Sequence, residues 1–133
     1  MQGSCLCKQV KYEVDALATP ILHCSCQSCR KAHAAAFNTG AGVEHDQFRW
    51  LDGEDNLSSY ESSAGKHRYF CKTCGSQLIS IKENAPLLIL RVATLDDDPG
   101  VVPEFRIWKS HEVSWLNYSA DIPEYDEWHP EQK

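Results

Sequence analysis

The segment Phe70-Cys71-Lys72-Thr73-Cys74-Gly75 decides the fold, because Cys-x-x-Cys followed by glycine is the spacing of a zinc-binding turn. A glycine in that position adopts a positive φ without steric cost. Residues 77–82 alternate and predict a strand, whereas a helix would follow the Cys-x-x-Cys motif of a thioredoxin-like redox protein. We therefore interpret the cysteine pair as metal ligands and keep the redox motif as the less favoured alternative.

Seven cysteines fall into three clusters, at Cys5-x-Cys7, Cys24-x-Cys26-x-x-Cys29 and Cys71-x-x-Cys74. The two short pairs together can close a tetrahedron around one zinc ion, and the middle cluster can hold a second zinc ion with one coordination position left for a ligand. An odd number of cysteines argues against a disulfide framework, although three disulfides and a spare thiol stay the alternative for an exported protein. Residues 1–5 lack the basic start and apolar stretch of a signal peptide, so we expect a cytoplasmic protein with reduced thiols.

Length and charge narrow the class of protein. The 133 residues predict a single domain that spans 1–133. The formal net charge of −6 makes the chain a poor general binder of nucleic acid, because binding to the phosphate backbone requires positive charge on the protein. No apolar run approaches the roughly 20 residues that span a bilayer, so we expect no membrane partner.

Hydrophobic periodicity predicts a mainly β fold. Val10, Tyr12 and Val14 alternate with charged residues and predict a half-buried strand over 9–14. Further strands are expected over 47–51, 67–70, 77–82, 86–95 and 104–109. Residues 27–37 predict a short helix that ends in a break at 38–42, and 52–66 predict a surface connection with at most one strand. We interpret Trp108 and Trp115 as core aromatics, with a ligand cleft as the alternative.

Basic residues and histidines surround the three-cysteine cluster in the sequence. Arg30 and Lys31 follow Cys29 directly, and His67 and Arg68 precede Cys71, so these four are candidate contacts for an acidic ligand. His33 is a further candidate, and its spacing from Cys29 also allows a closed Cys₃His zinc site. His23, His45 and His67 are other possible fourth ligands.

Three segments together resemble the glutathione-dependent formaldehyde-activating (GFA) family: 3–14 around the first cysteine pair, 23–31 around the middle cluster, and 70–78 around the last pair. The motifs Val92-Ala93-Thr94-Leu95-Asp96 and Ile107-Trp108 extend the resemblance over nearly the whole chain. The resemblance implies an Mss4-like, tent-shaped β fold of short antiparallel strands with two zinc sites. It implies that Cys5, Cys7, Cys71 and Cys74 hold a structural zinc ion, and that Cys24, Cys26 and Cys29 hold a labile, catalytic one.

The activity that the resemblance implies is that of a carbon–sulfur lyase. The family's named reaction joins glutathione and formaldehyde to give S-hydroxymethylglutathione. The chain departs from the family pattern at Lys8, where glycine is usual, and at His33-Ala34, where a small hydroxyl residue and a glycine are frequent. The alternatives are a glutathione or thiol carrier without turnover, and a zinc-binding interaction module.

Overall fold

The computed structural model of the protein describes residues 1–131 and is mainly β, which confirms the predicted fold class. The one α-helix of the described chain, α1, covers Gln27–His33. The ten strands are β1 Gln2–Ser4, β2 Lys11–Val14, β3 Ile21–Cys24, β4 Asn38–Glu44, β5 Phe48–Asp52, β6 Leu57–Ser63, β7 Lys66–Cys71, β8 Gln77–Lys82, β9 Leu87–Arg91 and β10 Pro103–Ile107. Short 3₁₀ turns occupy His45–Gln47, Glu54–Asn56, Val92–Thr94 and Lys109–His111.

The strands form two sheets. A three-stranded sheet has the order β1-β2-β5, and a seven-stranded sheet has the order β10-β3-β4-β9-β8-β7-β6. Every neighbouring pair is antiparallel except β10 and β3, which run parallel, so the larger sheet is mixed and not wholly antiparallel as the resemblance implied. Within the described chain, no helix is long and apolar enough to cross a bilayer.

The alternating residues of β2 point into the core, as predicted. Tyr12 is fully buried, stacks on Phe48 with ring centroids 5.3 Å apart, and shares a 2.7 Å hydrogen bond between its hydroxyl and Thr94 Oγ1. Gly3 on β1 lies against this ring, and a Cβ there would come within 2.2 Å of the Tyr12 hydroxyl oxygen. The smaller sheet is therefore fitted tightly around one tyrosine.

The helix ends before 38–42, as predicted, but these residues are not an irregular break, because they belong to β4, an interior strand of the larger sheet. Two glycines suggested the break, but both serve close packing. A Cβ on Gly42 would lie 2.8 Å from side-chain atoms of Leu87 and Thr19, and one on Gly40 would lie 3.1 Å from Ile89. Residues 57–63, within the predicted surface connection, form the edge strand β6.

The helix is shorter than predicted because Ala34 adopts the left-handed conformation, with φ of 49°, and caps its C-terminus. Lys8 also has a positive φ, of 65°. These are the two positions where the sequence departs from an expected glycine. Both residues therefore keep the backbone shape that glycine adopts at lower cost.

Residues beyond β10 run over the surface with little regular structure. Tyr118 stacks on Phe37 with centroids 5.7 Å apart, and Arg106 lies over the Tyr118 ring at 4.3 Å, which docks this segment. Trp108 and Trp115 are 54% and 73% exposed, so their interpretation as core residues is wrong.

Candidate metal centres

The four-cysteine cluster, Cys5, Cys7, Cys71 and Cys74, is assembled from two turns far apart in the chain. Its four sulfur atoms all lie within 4.8 Å of one another. The Cys5–Cys7 and Cys7–Cys71 sulfur distances are 3.6 and 3.7 Å. A tetrahedral ion with metal–sulfur bonds near 2.3 Å places its sulfurs about 3.8 Å apart, so the donor set fits zinc.

Hydrogen bonds to sulfur hold this cluster in shape. The Val10 amide lies 3.3 Å from Cys5 Sγ, and Asn56 Nδ2 donates to Cys71 Sγ at 3.3 Å. Ser76 Oγ lies 3.3 Å from Cys74 Sγ. Burial alone would raise the pKa of Cys74, but hydrogen bonds, led by those of Ser76, lower it to about 5. Such donors favour the thiolate form that a metal requires.

Gly75 takes a φ of 78° directly after the last cysteine, as predicted for the turn. Its amide donates to the Cys71 carbonyl at 2.8 Å. Strand β8 follows at once, so no helix begins at this Cys-x-x-Cys pair. None of the seven cysteines forms a disulfide, and neither the redox motif nor a disulfide framework matches this arrangement.

The three-cysteine cluster, Cys24, Cys26 and Cys29, lies where β3 passes into α1. Its three sulfurs also lie within 4.8 Å of one another. Cys24 ends the strand, while Cys26 caps the helix, with its sulfur 3.3 Å from the Cys29 amide. Over residues 1–131, no histidine nitrogen or carboxylate oxygen joins this group at the same spacing.

The histidines proposed as fourth ligands are engaged elsewhere or lie apart from the sulfurs. His23 Nδ1 bonds Thr39 Oγ1 at 2.9 Å, and His45 Nε2 lies 3.2 Å from a backbone carbonyl. His33 has a buried Nε2 without a hydrogen-bond partner. Burial, followed by the nearby Arg91 and Arg68, lowers the pKa of His33 to about 4, so its ring is neutral near pH 7.

Two buried arginines flank the three-cysteine cluster. Arg68 on β7 and Arg91 at the end of β9 are only 3% and 4% exposed. Arg68 Nη2 lies 4.0 Å from Cys29 Sγ, and its Nε donates to Ser62 Oγ at 2.9 Å. Arg68 was predicted from the sequence and Arg91 was not, although Arg91 is a lone cation at the end of an apolar strand.

Two clefts meet beside the cluster and share Gln27, Ser28, Ser62 and Arg68 on their walls. The first cleft, of about 510 Å³, adds Lys31, Ala32, Tyr60 and Gln77. The second cleft, of about 310 Å³, adds Cys26, Ser63, Lys66, Trp108 and His111. The aromatic side chain of Trp108 thus lies on a cleft wall, in agreement with the alternative interpretation.

The other sequence candidates lie outside these two clefts. His67 precedes Arg68 on β7, so it faces the opposite side of the sheet. There its Nε2 lies 3.2 Å from Glu61. Arg30 Nε donates to the Ser25 carbonyl at 3.2 Å, and its side chain lines a separate depression together with Lys31 and Trp115. Of the candidate ligand contacts, Lys31 and Arg68 are the two that the fold brings to the clefts.

The fold and its two sulfur clusters define a mainly β protein with two candidate metal centres of unequal ligand number. The family described as glutathione-dependent formaldehyde-activating enzyme matches residues 1–111, and the chain belongs to this family.

Individual relatives are more distant. The chain is 34% identical over 77 residues to a Podospora anserina protein named after glutathione-dependent formaldehyde-activating enzymes, a match over 56% of this chain and 36% of that protein. It is 27% identical over 77 residues to an uncharacterised lyase of Schizosaccharomyces pombe, over 58% of this chain and 54% of that one. The matched region thus spans about a third to a half of these relatives. A crystal structure of a Rhodobacter sphaeroides protein aligns with a TM-score of 0.64 and 27% identity, over 80% of this chain and 98% of that one.

Proposed function

We propose that the protein is a zinc-dependent carbon–sulfur lyase that forms or cleaves the adduct of a small thiol, such as glutathione, with a small aldehyde, such as formaldehyde. The observation that carries the proposal is the unequal ligand number: four sulfurs in one cluster, and three in the other beside two clefts. A metal site with three protein ligands is the usual arrangement of catalytic zinc. The names of the family and of two relatives support the same class of reaction.

Each cluster has its own role in this proposal. Cys5, Cys7, Cys71 and Cys74 hold a structural zinc ion that ties the chain start to its middle. Cys24, Cys26 and Cys29 hold a second zinc ion next to the clefts. A zinc ion bound there would favour the thiolate form of a thiol substrate and polarise a carbonyl as a Lewis acid. We expect the reaction to take place in the cytoplasm, where thiols stay reduced.

The proposed reaction is the addition of a thiol to an aldehyde. The thiol sulfur adds to the aldehyde carbon, one S–C bond forms as the C=O π bond breaks, and the proton that the thiol loses ends on the new hydroxyl group. Lys31 and Arg68 on the cleft walls are suited to bind carboxylates of the thiol. His33 is neutral near pH 7 and its Nε2 is buried, so it is a poor proton donor, whereas the exposed ring of His111 lies on the wall of the second cleft.

Exchange NMR with glutathione and formaldehyde tests the proposal. Zinc-loaded, reduced protein should accelerate exchange between free glutathione and its hydroxymethyl adduct above the rate in buffer. The Cys26→Ser variant is the control, because a serine oxygen can still cap α1 while one sulfur ligand is lost. No acceleration over buffer with glutathione or with several other small thiols would refute the enzyme.

A thiol carrier without turnover is the second candidate. It is favoured by the composition of the cleft walls, which over the described residues contain no aspartate or glutamate to act as general acid or base. A carrier would bind glutathione saturably, without faster exchange. Calorimetric titration beside the exchange experiment separates the two candidates.

A further inference from the structure

Arg68 and Arg91 are two buried cations without a carboxylate partner. Among residues 1–131, every ion pair involves other side chains, and Arg68 Nη1 and Arg91 Nε and Nη2 have no hydrogen-bond partner at all. An isolated buried charge is costly unless a counter-charge lies close by. The two guanidinium groups therefore need an anionic neighbour inside the fold.

The nearest source of negative charge is the three-cysteine cluster. Arg68 Nη2 lies 4.0 Å from Cys29 Sγ, and Arg91 interacts electrostatically with all three cysteines of the cluster. Burial and then Arg68 lower the pKa of Arg91 to about 10, while the three cysteines oppose this fall. Arg91 consequently stays charged near pH 7.

The sum of charges decides which outside ligand the cluster prefers. Three thiolates carry three negative charges, and the two guanidinium groups together with the nearby Lys66 ammonium group offset them. A divalent metal ion would then leave two net positive charges at the centre. A singly charged anion at the remaining coordination position would reduce this excess to one charge, whereas a neutral ligand would leave it unchanged.

We propose that Arg68 and Arg91 are specificity-determining residues that make the three-cysteine centre select an anionic ligand over a neutral one. The inference rests on the proposed function, because it assumes a metal ion on the three sulfurs. It adds that the selecting groups are this buried arginine pair and not the less buried cations Arg30, Lys31 and Lys66. In this way the pair that offsets the negative charge of the three sulfurs also favours a thiolate as the fourth ligand.

Cobalt-substituted protein offers a direct test without any turnover measurement. Cobalt(II) is loaded in place of zinc, and the visible bands of the three-cysteine centre are followed during titration with two probes, 2-mercaptoethanol and imidazole. The former binds as an anion and the latter as a neutral donor. The ratio of the two dissociation constants measures the preference for an anion.

The variants are Arg68→Gln, Arg91→Gln and the charge-keeping Arg68→Lys and Arg91→Lys, with Arg49→Gln as the matched control. Arg49 lies in the smaller sheet, away from the clefts, and pairs with the carboxylates of Glu13 and Asp15, so its loss should not change the ratio. A unit charge lost from the centre at the effective dielectric of a protein should weaken 2-mercaptoethanol binding about tenfold or more. Imidazole binding should change less than about threefold, and the lysine variants should keep most of the wild-type preference.

The opposing results are equally clear. Equal weakening of both probes, or an unchanged ratio in both glutamine variants, would overturn the inference, because the arginines would then be structural only. If the glutamine variants do not fold, loss of the preference in both lysine variants would also overturn it. Uptake of a single cobalt equivalent by the wild type would overturn the metal centre and the inference together. If the glutamine variants change the ratio as expected but the wild type does not accelerate glutathione exchange, the proposed enzymatic activity is refuted and the inference about the arginines stands.

Discussion

Replacing Cys71 and Cys74 by serine should destabilise the fold far more than replacing Cys24 and Cys26 by serine. The two double variants are matched, because each removes one buried cysteine and one half-buried cysteine. They differ in the length of chain that a bound metal ion would close into a loop.

The structure sets the size of the difference. Cys7 and Cys71 are 64 positions apart, and a cross-link over such a loop lowers the free energy of the native state relative to the unfolded chain by about 4 kcal/mol. The three-cysteine cluster spans six residues, for which the same relation yields about 2 kcal/mol, part of it already supplied by the helix cap. For a small domain of marginal stability, a loss of about 4 kcal/mol is a large fraction of the total.

Urea unfolding under reducing conditions with saturating zinc measures the two losses. We expect a fall in the free energy of unfolding of at least about 4 kcal/mol for the Cys71/Cys74 variant, and of at most about 2 kcal/mol for the Cys24/Cys26 variant. Elemental analysis should find one zinc equivalent fewer in the Cys24/Cys26 variant than in the wild type, and the variant should stay folded. Equal losses, or the larger loss in the Cys24/Cys26 variant, would refute the division into a structural and a functional centre.

Three further changes test other parts of the structure. Gly3→Ala should push Tyr12 from its place and lower the free energy of unfolding by about 1–3 kcal/mol in urea, and an unchanged midpoint would contradict the close contact. Asn56→Ala removes a donor to the sulfur of Cys71 and should weaken zinc binding about tenfold or more in chelator competition, and an unchanged affinity would contradict this role of the hydrogen bond. Hydrogen bonds from Arg49 lower the pKa values of the Glu13 and Asp15 carboxyl groups in the folded state. The stabilisation of the fold by these bonds is therefore present above about pH 4 and is lost as the pH falls through the lowered pKa values. The melting temperature of Arg49→Gln should therefore lie below that of the wild type at neutral pH but not at about pH 2.5, and a gap that persists in acid would contradict this origin.

Local patterns predicted the strands whose residues alternate. The strand over 77–82 has the predicted bounds, and β2 lies within the predicted 9–14. Strand β4 was not predictable in this way, because Gly40 and Gly42 signal a break locally. Their role depends on Leu87 and Ile89, which are more than 40 positions away and approach only in the folded sheet.

The grouping of the cysteine sulfurs was likewise predictable, because ligand spacing is a local property and the structure brings together the same two sets. The surroundings of the three-cysteine cluster were less predictable from the sequence. Arg91 reaches the cluster through the pairing of β4 with β9, and His111 through the parallel pairing of β10 with β3. The order of strands in a sheet cannot be read from the spacing of residues in the sequence. For this reason Arg91 and His111 were absent from the predicted site residues. Arg30 and His67 were predicted there because they are close to cysteines in the sequence.

The parallel strand pair also constrains how a nascent chain can mature. Ile107 is the register partner of Cys24, and its carbonyl accepts a 3.2 Å hydrogen bond from the Ser25 amide. A ribosome releases Cys24 some 80 residues before that partner strand, whereas the last sulfur of the four-cysteine cluster emerges in between. During synthesis, all four sulfurs of one centre are therefore available before the wall of the other is complete, so we expect metal loading of the three-cysteine centre to be a late step in biogenesis.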